Sequence, residues 1–305
     1  MTELAEVKAR APRIPRRARV LLREIAEGVA LDRKVQVTEI GARMTKEAPV
    51  YGALREAGMA HVTAFEPEPE AYGVLSRELP ADTTLHKLAI GKPGRATLYA
   101  HKIASLTSIF PFSAPAARFL GKGSWVKRPI AEIPVDLVAL DGVPGLDRID
   151  ILKMDIQGAE RDAIEGGRRA LTRCMVVIPE VRFYRMYEGE PMLAELDQSL
   201  RARGFVLHKF LHQKSVTLPS SQAERFQDAK LRSQLLDGDA VYIRSLEAPD
   251  DLADDQIKVL ALAAASVFDS PDLCCHCLDI LAARGAVDPG LSARFAQRAC
   301  PDPQT

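Results

Sequence analysis

A mainly parallel α/β sheet with helices on both faces is the fold class this chain of 305 residues predicts, and three observations carry the prediction. From Val35 onward, short runs rich in Val and Ile alternate with segments of helical period. Two runs, "IDILKMDI" and "CMVVIPEV", are apolar almost throughout, as strands covered on both faces must be. Several runs stop at an acid or a glycine, which lines up polar groups along the carboxyl rim, where open parallel sheets hold ligands.

Taken in order, residues 1 to 17 contain "KARAPRIPRR", basic and twice broken by proline. They predict a poorly ordered arm, either solvated or held by an acidic partner or anionic lipid. "ARVLLREIAEGVALD" predicts a helix. "VQVTEIG" is a strand ending at Gly41, "PVYGALREAG" a helix, and "HVTAFEP" a second strand stopped by Pro67. A helix over "PEAYGVLSREL" and a strand over "TLHKLAIG" come next, with a polar strand pair around "RATLYAHK". The strand "IDILKMDI" leads into the helix "AERDAIEGGRRAL", and "CMVVIPEV" is the next strand. "MLAELDQSLRARG" is helical, and "FVLHKFL" and "GDAVYIRS" close the alternation. "EAPDD" reads as a linker before a helical tail. The expected division is an arm and helix over 1–33, the α/β domain over 34–246 and a helical extension over 247–305.

Composition narrows the function classes. With 41 basic and 41 acidic residues, 47% hydrophobic and 27% charged, the chain carries no global basic field for nucleic acid. The longest apolar runs, such as "VLALAAASVF", are too short for a bilayer, and no apolar signal region follows the N-terminal charges, so a cytoplasmic protein is expected. Five cysteines, three of them within four positions, make a poor disulfide framework and point to a reduced compartment. Cys274 and Cys277 have zinc-ligand spacing around His276 but lack a second ligand pair. "SPDLCCHCLDILAARG" carries an N-cap signal at Ser270, then Pro271, then Leu273, Cys277, Leu278 and Leu281 at helical spacing, so a helix and no metal are expected.

The strand ends carry the chemistry: Glu39 and Gly41, Glu66 with Pro67, Ala89, Asp155 and Glu180. A glycine after the first strand lets backbone amides approach a ligand, and an acid ending the second can accept from two ribose hydroxyls. Gly41 precedes Glu66 by close to the roughly 20 residues expected for that division of labour. An adenosine-bearing ligand is indicated. "EIGARMT" is no GxGxxG phosphate cradle, which favours S-adenosylmethionine over NAD. In "ILKMDIQG", alternation puts Ile151, Lys153 and Asp155 on one face and Leu152, Met154 and Ile156 on the other. A buried lysine needs a carboxylate, and Glu180 on the neighbouring strand is the expected partner. Asp155 at the rim can face cofactor and substrate and take a proton from an acceptor hydroxyl; a purely structural ion pair is the competing reading.

These segments resemble the FkbM family of S-adenosylmethionine-dependent methyltransferases. "EIGA" resembles its first motif, "TAFEPEPEAYGVL" its acidic second motif and "LHKLAIG" its third. "IDILKMDIQGAERDAIEGGRRAL" is similar to its signature, a strand with Lys and Asp followed by Gly, a small residue and Glu. "VVIPEVRFYRMYEGEPMLAELDQSLRARGF" is similar to the family segment after that signature, and "SQLLDGDAVYIRS" to the family's closing strand. The likeness covers roughly 35 to 245, and the tail is similar to an extension of some members. It implies a class I methyltransferase (Rossmann-like) fold with a mainly parallel seven-stranded sheet, acting on a hydroxyl of a sugar, glycan or secondary metabolite. The expected cofactor contacts are Glu39, Gly41, Ala42, Glu66, Pro67 and Ala89, and the expected catalytic set is Asp155, Glu180 and Lys153, with Glu160 a further motif acid. The chain departs from many members in its first loop, where Arg43, Met44 and Thr45 replace Asn and a second Gly.

Two other readings stay open: a non-catalytic S-adenosylmethionine-binding protein on the same fold, supported by that altered loop, and a nicotinamide-dependent oxidoreductase, disfavoured by the missing phosphate loop. Among the six histidines, His86 and His101 are the ones able to approach the rim as a base. Trp125 and "SIFPF" fall in the insertion at 100 to 130, either as a lid over the acceptor or as plain packing. A small-molecule or glycan acceptor is expected, and a homo-oligomer stays open.

Overall fold

Strand β1 (Val35–Ile40) is the third of a seven-stranded sheet, with β2 (Ala60–Phe65) and β3 (Thr83–His86) on one side and β7 (Ile151–Met154) and β8 (Val176–Arg182) first on the other. The sheet is finished by β9 (Phe205–Val216) and β10 (Gln234–Arg244), in the order β3-β2-β1-β7-β8-β10-β9. All neighbours run parallel except β10, which inserts antiparallel between β8 and β9. The computed structural model describes residues 14–43, 48–80, 82–126, 130–226 and 228–301. This is the class I methyltransferase architecture that the sequence predicts. The expected basic arm lies outside the described residues up to position 13, and helix α1 (Arg16–Val29) already begins inside the stretch assigned to it.

The alternation along the strands produces two cores. Val37, Ile151, Ile178 and Val241 face one side, against Leu22 and Ile25 of α1 and against the tail helices α8 (Asp254–Ser266), α9 (Pro271–Ala283) and α10 (Leu291–Ala299). Leu152, Met154, Val177 and Tyr242 face the other, under α6 (Glu160–Glu165) and α7 (Leu193–Arg201). The tail is therefore a layer of the fold: Ile257, Leu260, Leu262 and Phe295 are completely buried. No helix among the described residues is long and apolar enough to cross a membrane. In α9, Cys274 and Cys277 point into this core, and Ser270 stands at the N-cap position but pairs its hydroxyl with His208 Nε2, 2.9 Å away, instead of capping.

Two expectations need correction. "TLHKLAIG" is not one strand: the chain leaves the main sheet after His86, and β4 (Ala89–Ile90) joins a second sheet of order β4-β6-β5, with β5 (Gly94–His101) and β6 (Ile130–Val138). The helix after β7 also ends early, at Glu165. At Gly167, packed on Leu140, an added Cβ would lie 2.9 Å from Leu140 Cδ2, so the chain turns there without room for a side chain. Short helices α2 (Gly52–Glu56), α3 (Pro69–Glu78), α4 (Ala114–Phe119) and α5 (Gly123–Val126) complete the chain.

Candidate active site

Beyond the carboxyl ends of β1, β2 and β7 lies a cleft whose wall includes Gly41, Arg43, Glu66, Pro67, Ala89 and Asp155. Its apolar lining comes from Ile40, Ile156 and Ala159 of the main domain body and from Leu88, Leu98 and Leu137 of the small sheet and its approach. Four of the six expected cofactor positions thus meet in one place, together with Asp155. Glu39 and Ala42 do not line the cleft. Glu39 accepts the Tyr51 hydroxyl at 2.6 Å, and burial raises its pKa against the lowering by that hydrogen bond. Ala42 is buried, packed with Ala64 and Leu75.

The physical reason for Gly41 also differs from the expected one. Its amide and that of Ala42 both donate to the Phe65 carbonyl, each at 3.0 Å, so neither is free to cradle a ligand. Glycine is required because φ is +83° and because the end of β7 passes so close that a Cβ would lie 2.1 Å from the Asp155 carbonyl oxygen.

Glu66 is 1% exposed, and burial raises its pKa to about 7 despite the nearby Arg43. Oε1 accepts the Glu68 amide at 2.8 Å, whereas Oε2 has the Arg43 guanidinium at 3.5 Å. The same guanidinium donates to Glu68 at 3.1 Å. Arg43, noted in the sequence as a departure from the family loop, therefore sits beside the acid that ends β2.

On the other side of Asp155 the acids form a row. Strand parity puts Glu39, Lys153, Glu180 and Asp239 on the face that carries Val37, Ile151, Ile178 and Val241. The expected Lys153–Glu180 pair is not formed. Lys153 Nζ donates to Asp239 Oδ1 at 2.7 Å, one strand farther, and Glu180 instead meets Arg182 at 2.8 Å. The antiparallel insertion of β10 causes this by setting Asp239 directly beside Glu180. Burial works against the Lys153 charge, but Asp239 and Asp155 outweigh it and hold the ammonium above its ordinary value. Burial, reinforced by Asp155, pushes Glu180 well above the carboxylate range.

Gln157, which no sequence motif singled out, joins Asp155 to Glu180. Its Nε2 donates to Asp155 Oδ1 at 2.7 Å and to Glu180 Oε2 at 2.6 Å. Its Oε1 accepts from Arg182 at 2.6 Å and from the Tyr187 hydroxyl at 3.0 Å. An arginine can only donate, so the amide orientation is determined and both of its protons are committed to carboxylates. Gln157 is 6% exposed and left-handed at φ +55°, a conformation a non-glycine residue holds only when its surroundings fix it. Ser108 does so by donating to its carbonyl at 2.6 Å, and Glu160 accepts the Ile156 and Gly158 amides, both at 2.9 Å. The only signal for Gln157 in the sequence was an uncharged polar residue between the motif acid and the glycine.

Neither histidine singled out for the rim is placed as a base. His101 is buried, with Nδ1 accepting the Ile103 amide at 3.0 Å and Nε2 facing the Trp125 carbonyl at 3.3 Å, so its ring is tied into the insertion. His86 stacks on Phe65 with centroids 5.0 Å apart. In the "SIFPF" segment, Ile109 lines the cleft, while Phe112 stacks on Tyr187 at 4.8 Å and Trp125 packs on the same cluster, the packing reading of the insertion.

Residues 39–207, more than half of the chain, match the methyltransferase FkbM domain. The chain belongs to the FkbM methyltransferase family. A 2-O-methyltransferase, NoeI, of Sinorhizobium fredii (strain NBRC 101917 / NGR234) is 44% identical over 54 residues, 17% of this chain and 22% of that protein. Methyltransferase 1 of Beauveria bassiana (strain ARSEF 2860) is 25% identical over 133 residues, 37% of this chain and 51% of that protein. The chain thus matches about a fifth to a half of the length of these curated relatives. A solved structure, magnesium protoporphyrin IX methyltransferase (ChlM) from Synechocystis PCC 6803 with bound SAM, shares 11% identity over 74% of this chain and 76% of that chain, at a TM-score of 0.35.

The cofactor of FkbM methyltransferases is S-adenosylmethionine, and the residues of the cleft fit it. A buried acid whose Oε2 faces only the Arg43 guanidinium at 3.5 Å can accept from ribose hydroxyls, and the apolar side chains of Leu88, Ala89, Ile90 and Ile156 suit a purine. Glu66, Pro67 and Ala89 line the cleft that would take the adenosine, and Asp155 lines the same cleft.

Proposed function

We propose that this FkbM protein is an enzyme that methylates a hydroxyl oxygen of a sugar, glycan or secondary metabolite, with S-adenosylmethionine as donor. One observation carries the reading: Asp155 lines the cofactor cleft with Oδ1 held by Gln157, which leaves Oδ2 to serve an acceptor. Bound S-adenosylmethionine supplies a methyl group on a positively charged sulfur. Asp155 orients the acceptor hydroxyl and takes its proton as the oxygen attacks, at Oδ2, the oxygen not engaged by Gln157. Gln157 holds the carboxylate in line, and Arg182 and Tyr187 hold Gln157. Lys153 offsets the negative charge of Asp239 and Asp155, and Arg182 holds Glu180 and Glu190. Thr107 and Ile109, on the insertion side of the cleft, are placed to meet the acceptor. The 2-O-methyltransferase likeness of one relative supports oxygen as the target and the sugar class with it. The five thiols, all free, suit a reducing cytoplasmic setting.

The test is transfer of a radiolabelled methyl group from S-adenosylmethionine to a panel of sugars, oligosaccharides and phenols, followed by alkaline treatment of the product. Label that survives base is expected, since an ether is stable there. Label released by base would mean a carboxyl target and overturn the hydroxyl assignment. Tight cofactor binding by calorimetry without turnover on any acceptor would favour the binding-protein reading.

A further inference from the structure

Six large apolar side chains stand exposed among the described residues, and all six lie in two stretches. Phe119 and Val126 are in residues 114–126, and Leu218, Phe226, Leu231 and Leu235 are in residues 217–235, with Leu231 as much as 54% exposed. Apolar residues scattered singly over a surface mean little, but a group of this kind marks an interaction site. The two stretches form one face. Phe119 stacks on Tyr184 with centroids 5.0 Å apart, Gly121 faces the Pro219 ring, and the Thr217 hydroxyl donates to the Phe226 carbonyl at 2.8 Å.

The face is also charged. Among the described residues of the two stretches it holds Arg118, Lys122, Arg225 and Lys230 against Glu224 and Asp228, in a chain whose full complement is 41 basic and 41 acidic residues. A second copy of the chain would cover the apolar groups but press two cationic faces together. A partner offering both apolar material and negative charge over a broad surface fits better. We propose that this face docks on an anionic lipid bilayer, its apolar side chains entering the interface and its arginines and lysines meeting lipid phosphates.

Its position makes the docking relevant to the site. Beneath the patch, Leu120, Trp125, Met186 and Tyr187 share one cluster, and Tyr187 donates to the Gln157 amide beside Asp155. A bilayer on this face would rest on the cluster that backs Gln157, which makes a hydroxyl carried on a lipid headgroup the first acceptor to test. That consequence rests on the proposed hydroxyl methylation, whereas the docking itself does not.

Trp125 is the only tryptophan of the chain and lies in the first stretch, with the Lys122 ammonium 5.6 Å from its ring centroid. Its fluorescence reports docking on the full chain without catalysis. Vesicles of phosphatidylcholine with added phosphatidylglycerol are expected to shift its emission to the blue, to allow quenching by brominated lipid, and to pellet the protein. Affinity should fall at least about tenfold when salt is raised from roughly 50 to 500 mM, as screening shortens the reach of the charges. The double variant Phe226→Ser, Leu231→Ser alters two exposed side chains; it should melt like the parent and bind the same vesicles at least about tenfold more weakly. No partition, equal partition onto phosphatidylcholine alone, or a Trp125 shift that tracks protein concentration and dimer mass without lipid would overturn the proposal. Vesicle binding with only soluble hydroxyls methylated would leave the docking standing and remove the lipid-borne acceptor.

Discussion

Gly41 and Asp155 meet backbone to backbone, with 2.1 Å between the Asp155 carbonyl oxygen and the point where a Cβ on Gly41 would stand. The Asp155 amide also donates to the Ile40 carbonyl at 3.0 Å, so the ends of β1 and β7 are in direct backbone contact at the edge where Gly41 and Asp155 line the cleft.

Gly41→Ala should destabilise the protein by about 3 kcal/mol or more, from the left-handed backbone and the overlap together. It should also weaken S-adenosylmethionine binding, because relief of the overlap pushes the two strand ends apart. A thermal melt and a cofactor titration check both. A change under about 1 kcal/mol would mean the contact is loose.

The Glu66 carboxyl, raised to about 7, gives a signed pH dependence. The folded chain keeps a proton that the unfolded chain releases from about pH 4.3 upward, so this group lowers stability as pH rises between roughly 4.3 and 7, by about 3 to 4 kcal/mol in all. Cofactor affinity should run the other way, since only the charged carboxylate accepts two hydroxyls. The dissociation constant should fall about tenfold per unit from pH 5.5 toward 7 and then level off. Glu66→Gln should flatten both curves in calorimetry and melting series; an unchanged slope in that variant would place the titrating group elsewhere.

Lys153 and Asp155 should separate stability from rate. Lys153→Met strips Asp239 of its cation next to Asp155 and Glu180 and should cost about 2 to 4 kcal/mol in a denaturant melt. Asp155→Asn can still accept from Gln157, so it should shift stability by under about 1 kcal/mol, while single-turnover methyl transfer falls by about two orders of magnitude. The reverse pattern would exchange the two roles.

A chain ending at residue 246 should fail to fold cooperatively. Ile257, Leu260, Leu262 and Phe295 are each completely buried, at about 1.5 to 3 kcal/mol per side chain, so the tail outweighs a large part of an ordinary domain's 5 to 15 kcal/mol. Near-ultraviolet circular dichroism and a urea melt of the truncated chain test this, and a sharp transition would show a self-sufficient α/β body.

How much of the fold is legible in the residues depends on how local each signal is. The main sheet was legible because β7 and β8 are nearly continuous apolar runs and the shorter Val- and Ile-bearing segments beside them alternate with helical ones, and Glu66 because it follows one of these segments. The partner of Lys153 was not, because β10 reaches β8 from more than fifty residues away and from the opposite direction, a pairing no local pattern encodes. The small sheet was half-seen: "RATLYAHK" alternates, but its partner β6 carries Pro134, which argues against a strand until the edge geometry is known. Gln157 was missed because its importance lies in four partners drawn from three segments of the chain.

Arg43 lends the cleft a stand-in for its ligand. Any adenosine compound that claims Glu66 must first turn this guanidinium away, and the methyl donor and its demethylated product carry the same ribose. Such a displacement would weaken both to the same degree and leave the preference between them untouched. Removing the guanidinium, as in Arg43→Ala, is therefore expected to tighten donor and product alike and leave their ratio unchanged.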